Sequence, residues 1–148
     1  MMSRDNNFGQ ILGAIKKNCT FVAKKDVMIY CISKKMEISA CHNLTLTYES
    51  KCSRKHGHNW EVTVYCASKS KNTDGMVIDF KHVKDRIHGY LDHGDLNELL
   101  PFNPTAENIA EWIVNEIDCC YKAVVKESYG NEAMAIDDLF PIDPKYLL

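Results

Sequence analysis

The chain has 148 residues, a length that suits one domain with a single hydrophobic core. Its formal net charge of -2 supplies no electrostatic attraction to nucleic acids or anionic membranes, and we expect neither as a partner. It has no apolar run near the roughly 20 residues that a membrane helix needs and no signal-peptide pattern at its N-terminus, so we expect a cytoplasmic protein.

The sequence divides into three parts. Residues 1–25 are predicted to be an N-terminal extension, in which four apolar residues at helical spacing allow a short amphipathic helix. Residues 26–136 carry the regular patterns of a folded domain. Residues 137–148 contain two prolines and are predicted to form an irregular C-terminal tail.

Two long stretches of alternating polarity predict a pair of β-strands. The first is predicted over Val27–His42, where Met36, Ile38 and His42 share one face. The second is "HGHNWEVTVYCAS", residues 56–68. Its apolar face contains His56, His58, Trp60, Val62, Val64 and Cys66. Alternation of this kind is typical of half-buried antiparallel strands.

Two helices and two more strands follow. Asp79 and Thr105 are good N-caps for helices whose apolar residues recur every three or four positions. Between the helices, "LDHGDLNELLPFNP" is predicted to be a loop that can include a short turn, and "YKAVVKES" and "NEAMAI" are predicted as the third and fourth strands. The order ββααββ predicts an α+β fold, with an antiparallel sheet and helices on one face.

Three histidines are predicted to meet at one end of the sheet. If the first two strands pair antiparallel, His42, His56 and His58 converge on the core-facing side. Leaving their ring nitrogens unpaired would cost about 1–3 kcal/mol per polar group, and a Zn²⁺ ion relieves that cost. Three protein ligands with a free fourth position are typical of a catalytic zinc site. The alternative is ordinary packing of each ring in the core.

The remaining cysteines and histidines give no comparable indication of a functional site. The seven cysteines include no CxxC pair, which argues against a four-cysteine zinc knuckle. With Cys52 set apart, we expect most of them to be small buried hydrophobic residues. His82 and His88 lie off the apolar stripe of the first helix and are expected at the surface.

Six blocks of the sequence together resemble one protein family. They are "ISACHNL", "KCSRKHGHNW", "GMVIDFKHVK", "LDHGDLN", "NPTAENIAEWI" and "VVKES", and they cover roughly residues 36–128. In this order they resemble the 6-pyruvoyltetrahydropterin synthase and 6-carboxytetrahydropterin synthase family. The resemblance implies the tunnelling fold, in which subunits join edge to edge into a homo-oligomeric barrel, a trimer or a dimer of trimers. It also implies active sites between subunits.

The resemblance also implies roles for individual residues. It makes three residues the zinc ligands: His42, His56 and His58. Cys52 occupies the position of the catalytic cysteine, and Asp92 with His93 matches the acid–base pair. Glu127 matches the glutamate that anchors the pterin ring. Glu107 could line the pterin site, but a carboxylate in the first turn of a helix is also favoured by the helix dipole.

Glu127 has support from its strand as well. It shares strand parity with Tyr121, Ala123 and Val125, so we expect its carboxylate to point into a partly buried region. A buried carboxylate needs paired donors, and the amino group and ring N–H of a pterin supply two in one plane. The alternative is a surface glutamate at a strand end.

The spacing Cys-x-x-x-His-Gly-His resembles the bacterial 6-carboxytetrahydropterin synthases of the queuosine pathway. The reaction implied converts 7,8-dihydroneopterin triphosphate to 6-carboxytetrahydropterin, acetaldehyde and triphosphate. Two alternatives stay open. One is a 6-pyruvoyl synthase or a related enzyme that cleaves dihydroneopterin. The other is a protein that binds zinc or pterin and catalyses nothing.

Overall fold

The computed structural model describes residues 28–148, in which four antiparallel strands form one sheet in the order β1-β2-β3-β4. The strands are β1 Tyr30–His42, β2 His56–Ser68, β3 Cys120–Ser128 and β4 Asn131–Ile136. The predicted α+β fold with a four-stranded antiparallel sheet is confirmed. The predicted N-terminal extension, residues 1–25 with its short helix, lies outside the described residues.

Helices follow β2 and lead into β3. They are α1 Phe80–Leu91, α2 Leu96–Leu99 and α3 Ala106–Glu116. The Asp79 side chain accepts a hydrogen bond from the N–H of Lys81, and the Thr105 hydroxyl accepts one from the N–H of Asn108. Both predicted N-caps therefore satisfy backbone donors that the first turn of a helix leaves free. The short helix α2 forms inside the segment predicted as a loop.

The core lies between the helices and one face of the sheet. Val83 and Ile87 of α1, and Ile109 and Ile113 of α3, are at most 2% exposed and pack with Trp60 of β2 in one cluster. This is the face of β1 and β2 on which the histidines lie, so the fold packs helices over the predicted site. None of the helices in residues 28–148 is long and apolar enough to span a bilayer.

The pairing of β2 with β3 contains an irregularity that changes one side-chain direction. Tyr65 pairs with Lys122 but Cys66 pairs with Cys120, so Tyr121 has no partner on β2. The extra residue interrupts the alternation of side chains. Tyr121 consequently packs in a separate cluster from Ala123, and the predicted shared face of the two residues is wrong.

The C-terminal segment packs against this displaced tyrosine. Ile142 is buried and belongs to the same cluster as Tyr121 and Ala67. The Tyr121 hydroxyl accepts a hydrogen bond of 2.9 Å from the N–H of Leu148 and donates one of 3.1 Å to its carbonyl oxygen. Residues 144–146 form a single 3-10 turn. Residues 137–148 therefore cover part of the sheet face opposite the helices.

Candidate metal centre

The register of β1 against β2 brings the three histidines together. His42 is the direct partner of His56 at the end of the ladder, and His58 lies two residues further along the same face. The ring centroids of His42 lie 4.6 Å from His56 and 5.2 Å from His58. One potential ligand nitrogen from each ring lies within 4.8 Å of the others. Zn–N bonds are about 2.1 Å long, so small movements of the side chains would let a single ion contact all three rings.

Backbone carbonyls fix the orientation of two of the rings. Nδ1 of His42 lies 2.9 Å from the carbonyl oxygen of Pro104, and Nδ1 of His56 lies 2.6 Å from that of Arg54. A carbonyl only accepts, so each Nδ1 carries the proton and donates it. The lone pair is then on Nε2, which is the tautomer that a ligand histidine needs.

The surroundings of His42 favour the neutral form of its imidazole. Its side chain is fully buried, and burial lowers the pKa of its imidazole, with the neighbouring His56 lowering it further against the opposing hydrogen bond to Pro104. A neutral imidazole is able to donate its lone pair to a metal. The Trp60 ring packs edge-on against His42 and His58, at centroid distances of 4.8 and 5.3 Å. The tryptophan excludes water from one side of the cluster.

Two ring nitrogens of the cluster lack a partner. Nε2 of His42 and Nε2 of His58 are buried without a hydrogen bond in the described part of the chain. Buried polar atoms are nearly always paired, so an unpaired couple beside each other indicates a missing ligand. Three imidazole nitrogens are a common donor set for Zn²⁺. The residues present therefore fit a zinc ion, with room for a fourth ligand.

Glu127 of β3 lies beside this cluster. Its Oε1 is 3.4 Å from Nε2 of His42 and 3.8 Å from Nε2 of His58, with the side chain 25% exposed. Its carboxylate oxygen does not belong to the set of mutually close ligand atoms that the three histidines form in residues 28–148. A carboxylate at this position places negative charge next to the candidate cation site and keeps two acceptor oxygens within reach of a neighbouring ligand.

Asp92 and His93 lie at the outer edge of β1. The chain leaving α1 runs along this edge, where the N–H of His93 donates to the carbonyl of Ser39 at 2.7 Å. Asp92 Oδ1 accepts a 2.9 Å hydrogen bond from the N–H of Ser39, and this bond lowers the pKa of the Asp92 carboxyl. The His93 side chain is 83% exposed, with a backbone φ of 58°. His93 and His58 both line a surface groove of about 420 Å³.

A second histidine, His88, lies beside the Asp92–His93 pair. His88 Nε2 is 3.5 Å from Oδ2 of Asp92, while His93 Nε2 is 3.8 Å from the same oxygen. The sequence places His88 at the surface, yet its side chain is only partly exposed and faces the carboxylate. The four-residue spacing of His88 and Asp92 at the end of a predicted helix is a signal that could have revealed the contact.

Cys52 lies in a 3-10 turn, Lys51–Ser53, and is exposed. Its backbone N–H donates to the Ser50 hydroxyl at 3.1 Å, and its carbonyl accepts from the N–H of Leu44 at 2.8 Å. Within residues 28–148 its thiol forms no hydrogen bond with the histidine cluster or with His93. Within residues 28–148 of a single chain, the three histidines and Glu127 therefore lie together, and the Cys52 thiol is not bonded to this group.

Two asparagines that the sequence did not single out hold the loop that carries Cys52. The Asn97 amide accepts from the N–H of Asn43 and donates to its carbonyl, each at 2.8 Å. The Asn103 amide does the same for Thr45, at 2.9 and 3.0 Å. These paired hydrogen bonds resemble those of a β-ladder, and they fix the first residues of the loop between β1 and β2. Glu107, in contrast, is exposed in the first turn of α3.

The fold and the cluster define an α+β protein with a three-histidine candidate metal site on the core face of its sheet. The model of the family described as 6-pyruvoyl tetrahydropterin synthase matches residues 31–129. Since this match covers most of the chain, the protein belongs to that family.

Solved structures show the same fold. The 6-pyruvoyl tetrahydropterin synthase of Caenorhabditis elegans aligns with a TM-score of 0.61 at 23% identity, covering 76% of this chain and 98% of that one. A 6-pyruvoyltetrahydropterin synthase of Plasmodium vivax aligns with a TM-score of 0.54 at 16% identity, covering 76% and 99%. Both likenesses are below 25% identity and concern the fold alone.

Sequence relatives carry a different enzyme name. The 6-carboxy-5,6,7,8-tetrahydropterin synthase of Bacillus subtilis is 31% identical over 93 residues, which are 58% of this chain and 64% of that protein. The enzyme of the same name in Rickettsia bellii is 31% identical over 113 residues, covering 61% and 80%. The match thus spans less than two thirds of the Bacillus protein.

Proposed function

We propose that this protein is a zinc-dependent lyase that converts 7,8-dihydroneopterin triphosphate to 6-carboxy-5,6,7,8-tetrahydropterin, with release of acetaldehyde and triphosphate, as in the queuosine pathway. The observation that carries the proposal is the pair of buried Nε2 atoms on His42 and His58, beside His56, which have no hydrogen-bond partner among residues 28–148. The names of the bacterial relatives support the 6-carboxy branch. Residues 26–136 are the proposed catalytic unit, with residues 1–25 and 137–148 flanking it.

His42, His56 and His58 would hold the zinc ion. A zinc ion with a free coordination position supplies Lewis acidity toward the hydroxyl-bearing side chain of the substrate. The carbonyls of Pro104 and Arg54 hold two of the rings in the ligand tautomer. This preorganisation means that binding does not have to change the tautomer of those rings.

Glu127 would anchor the pterin ring. Its two carboxylate oxygens accept from the amino group and the ring N–H of the pterin in one plane. Since Oε1 of Glu127 lies 3.4 Å from Nε2 of His42, a pterin ring bound to Glu127 would lie next to the zinc ion. The substrate side chain that is to be cleaved is thereby directed toward the zinc position.

Proton transfer would be shared by Cys52 and the Asp92–His93 pair. A thiolate at Cys52 removes a carbon-bound proton from the substrate, and the imidazole of His93 donates or relays one on the other side. Asp92 would act on this imidazole as a neighbouring negative charge, since its Oδ2 lies 3.8 Å from Nε2 of His93 and its Oδ1 is held by the N–H of Ser39. We further propose a homo-oligomer, a trimer or a dimer of trimers, in which association brings the exposed Cys52 and His93 to complete sites.

The proposal is tested by incubating the purified zinc-loaded protein with 7,8-dihydroneopterin triphosphate and identifying the products. We expect a 6-carboxy pterin and acetaldehyde in equal amounts. His56→Ala should lose both zinc and turnover, while His82→Ala, which removes an exposed histidine of α1, keeps both. A 6-pyruvoyl product would assign the protein to the other branch of the family. Tight pterin binding without any product would make it a binding protein.

A further inference from the structure

The turn that carries Cys52 is tied to the end of β1 by one hydrogen bond. The N–H of Leu44, two residues after β1 ends, donates to the carbonyl of Cys52 at 2.8 Å. In the described part of the chain, no other backbone–backbone hydrogen bond joins residues 50–54 to the rest of the protein. The place of the Cys52 thiol relative to the candidate metal centre therefore depends in part on where residues 43–45 lie.

The residue next to Leu44 is held by an asparagine side chain. Asn103, in the connection between α2 and α3, accepts from the N–H of Thr45 at 2.9 Å and donates to its carbonyl at 3.0 Å. An amide side chain that accepts and donates at once fixes both the distance and the direction of the backbone it holds. Asn103 therefore fixes the chain directly beside the Leu44 N–H that bonds to Cys52.

The same connection also reaches the candidate metal centre. Pro104 directly follows Asn103, is buried, and has its carbonyl oxygen 2.9 Å from Nδ1 of His42. The carbonyl of Asn103 accepts a hydrogen bond of 2.9 Å from the Asn108 amide, which anchors the connection to the first turns of α3. Two adjacent residues of one connection thus contact a candidate zinc ligand and the loop that carries Cys52.

The hydrogen bonds between Asn103 and Thr45 lie at the protein surface. Water competes for exposed hydrogen bonds, so this pair adds little to the stability of the fold. What it provides is position, because displacement of a catalytic group by about 1 Å can lower turnover by about 10²-fold. Asn97 makes a similar pair of bonds with Asn43, but Asn43 adjoins His42, so loss of the Asn97 side chain would disturb the candidate metal centre as well.

We propose that Asn103 is a positioning residue for Cys52. It sets the distance between the Cys52 turn and the three histidines, acting through Thr45 and Leu44 and without touching the substrate. The inference rests on the proposed function for the chemistry of the thiol, and on these hydrogen bonds for the link between Asn103 and Cys52.

The link is tested first without substrate, by amide hydrogen exchange measured residue by residue with NMR on the full-length zinc-loaded protein. Asn103→Leu keeps the approximate size of the side chain without its polar atoms, and it should speed exchange of the Leu44 N–H by about tenfold. Asn103→Asp keeps an acceptor for the Thr45 N–H and should change the rate less. The control Asn72→Leu removes two hydrogen bonds to backbone N–H groups in the turn after β2 and should leave the rate unchanged.

Turnover of 7,8-dihydroneopterin triphosphate then tests the catalytic consequence. Asn103→Leu should lower kcat by about 10–100-fold. KM and bound zinc should not change, because Glu127 and the histidines keep their contacts. In protein that already carries Cys52→Ala, Asn103→Leu should cause no further loss of the residual turnover, since no thiol is left to misplace. Asn72→Leu should keep the wild-type kcat.

Three results would overturn the inference. One is an unchanged Leu44 exchange rate in Asn103→Leu. Another is an equal fractional loss of turnover with and without the Cys52 thiol, which would show a general structural role. The third is a loss of bound zinc together with kcat, which would place the effect at the histidines. Wild-type protein without any turnover, combined with faster Leu44 exchange in Asn103→Leu, would instead refute the proposed function and retain the link to Cys52.

Discussion

Replacing His42 by leucine separates the stability of the fold from the binding of metal. His42 is fully buried, and its Nε2 lacks a partner in the described residues. Without metal, the His42→Leu substitution would remove that unpaired atom, a gain of about 1–3 kcal/mol, and would leave the Pro104 carbonyl without its donor at a similar cost. The leucine side chain also fills most of the space with apolar surface. We therefore expect the free energy of unfolding of the metal-free variant to lie within about 2 kcal/mol of that of the metal-free wild type.

The response to zinc should differ far more. A ligand that binds only the folded state at 100 times its Kd adds about 2.7 kcal/mol to the free energy of unfolding. For a chain of this length 1 kcal/mol corresponds to about 4 °C in Tm, so wild-type protein should gain about 10 °C. His42→Leu should gain almost nothing. His82→Leu, which changes an exposed histidine on α1, should keep the wild-type gain.

The assay is calorimetry of each protein with excess chelator and with added zinc. Zinc that binds cysteines of the unfolded chain acts equally on all three proteins, so the comparison between variants decides. A full zinc response in His42→Leu would refute the assignment of His42 as a ligand. A loss of more than about 3 kcal/mol in the metal-free variant would show that His42 is needed for packing instead.

The other residues of the proposed site give three predictions. Cys52→Ala should keep zinc but reduce turnover by about 10²–10⁴, with Cys31→Ala as the active control, and a fully active Cys52→Ala would remove the thiol from the mechanism. Glu127→Gln should raise KM about tenfold or more and keep zinc; loss of zinc would make Glu127 a ligand instead of the pterin anchor. The hydrogen bond from Ser39 lowers the pKa of Asp92 in the folded state, so this carboxylate stabilises the protein above its unfolded pKa of about 3.9 and loses that effect as the pH falls through the lower folded pKa. Asp92→Asn should therefore lose less stability than wild type in thermal unfolding between about pH 5 and 2, and equal losses would contradict the role of this hydrogen bond.

Local patterns were enough to predict most of the fold. The alternation in residues 56–68 predicted β2 with its observed bounds, and Asp79 and Thr105 marked the starts of α1 and α3. The meeting of the histidines also follows from parity, because antiparallel pairing places the end of β1 beside the start of β2. All of these features depend on residues that are close in sequence or on the simplest pairing of neighbouring strands.

The features that the sequence did not reveal depend on distant contacts. The displaced Tyr121 follows from a register shift against β2, which no alternation within β3 can indicate. The Asn97 amide holds Asn43 across 54 positions, and an asparagine in a loop has no signal that names its partner. The pairing of Cys66 with Cys120 likewise depends on the register of β2 against β3, which neither strand shows by itself. In each case the tertiary structure determines the partner.

The proposed site has two halves that differ in how they are built. The metal half is buried at His42 and partly buried at His56 and His58. It is preorganised in one chain, because His42 and His56 are fixed by carbonyl acceptors and by their place at the end of the β1–β2 ladder. The acid–base half is exposed, with His93 at the outer edge of β1 and Cys52 in a surface turn. Exposed groups in water make poor catalysts, since solvent screens their charges and competes for their hydrogen bonds. In this scheme folding creates the ion site, and association of subunits would be what removes water from the groups that move protons.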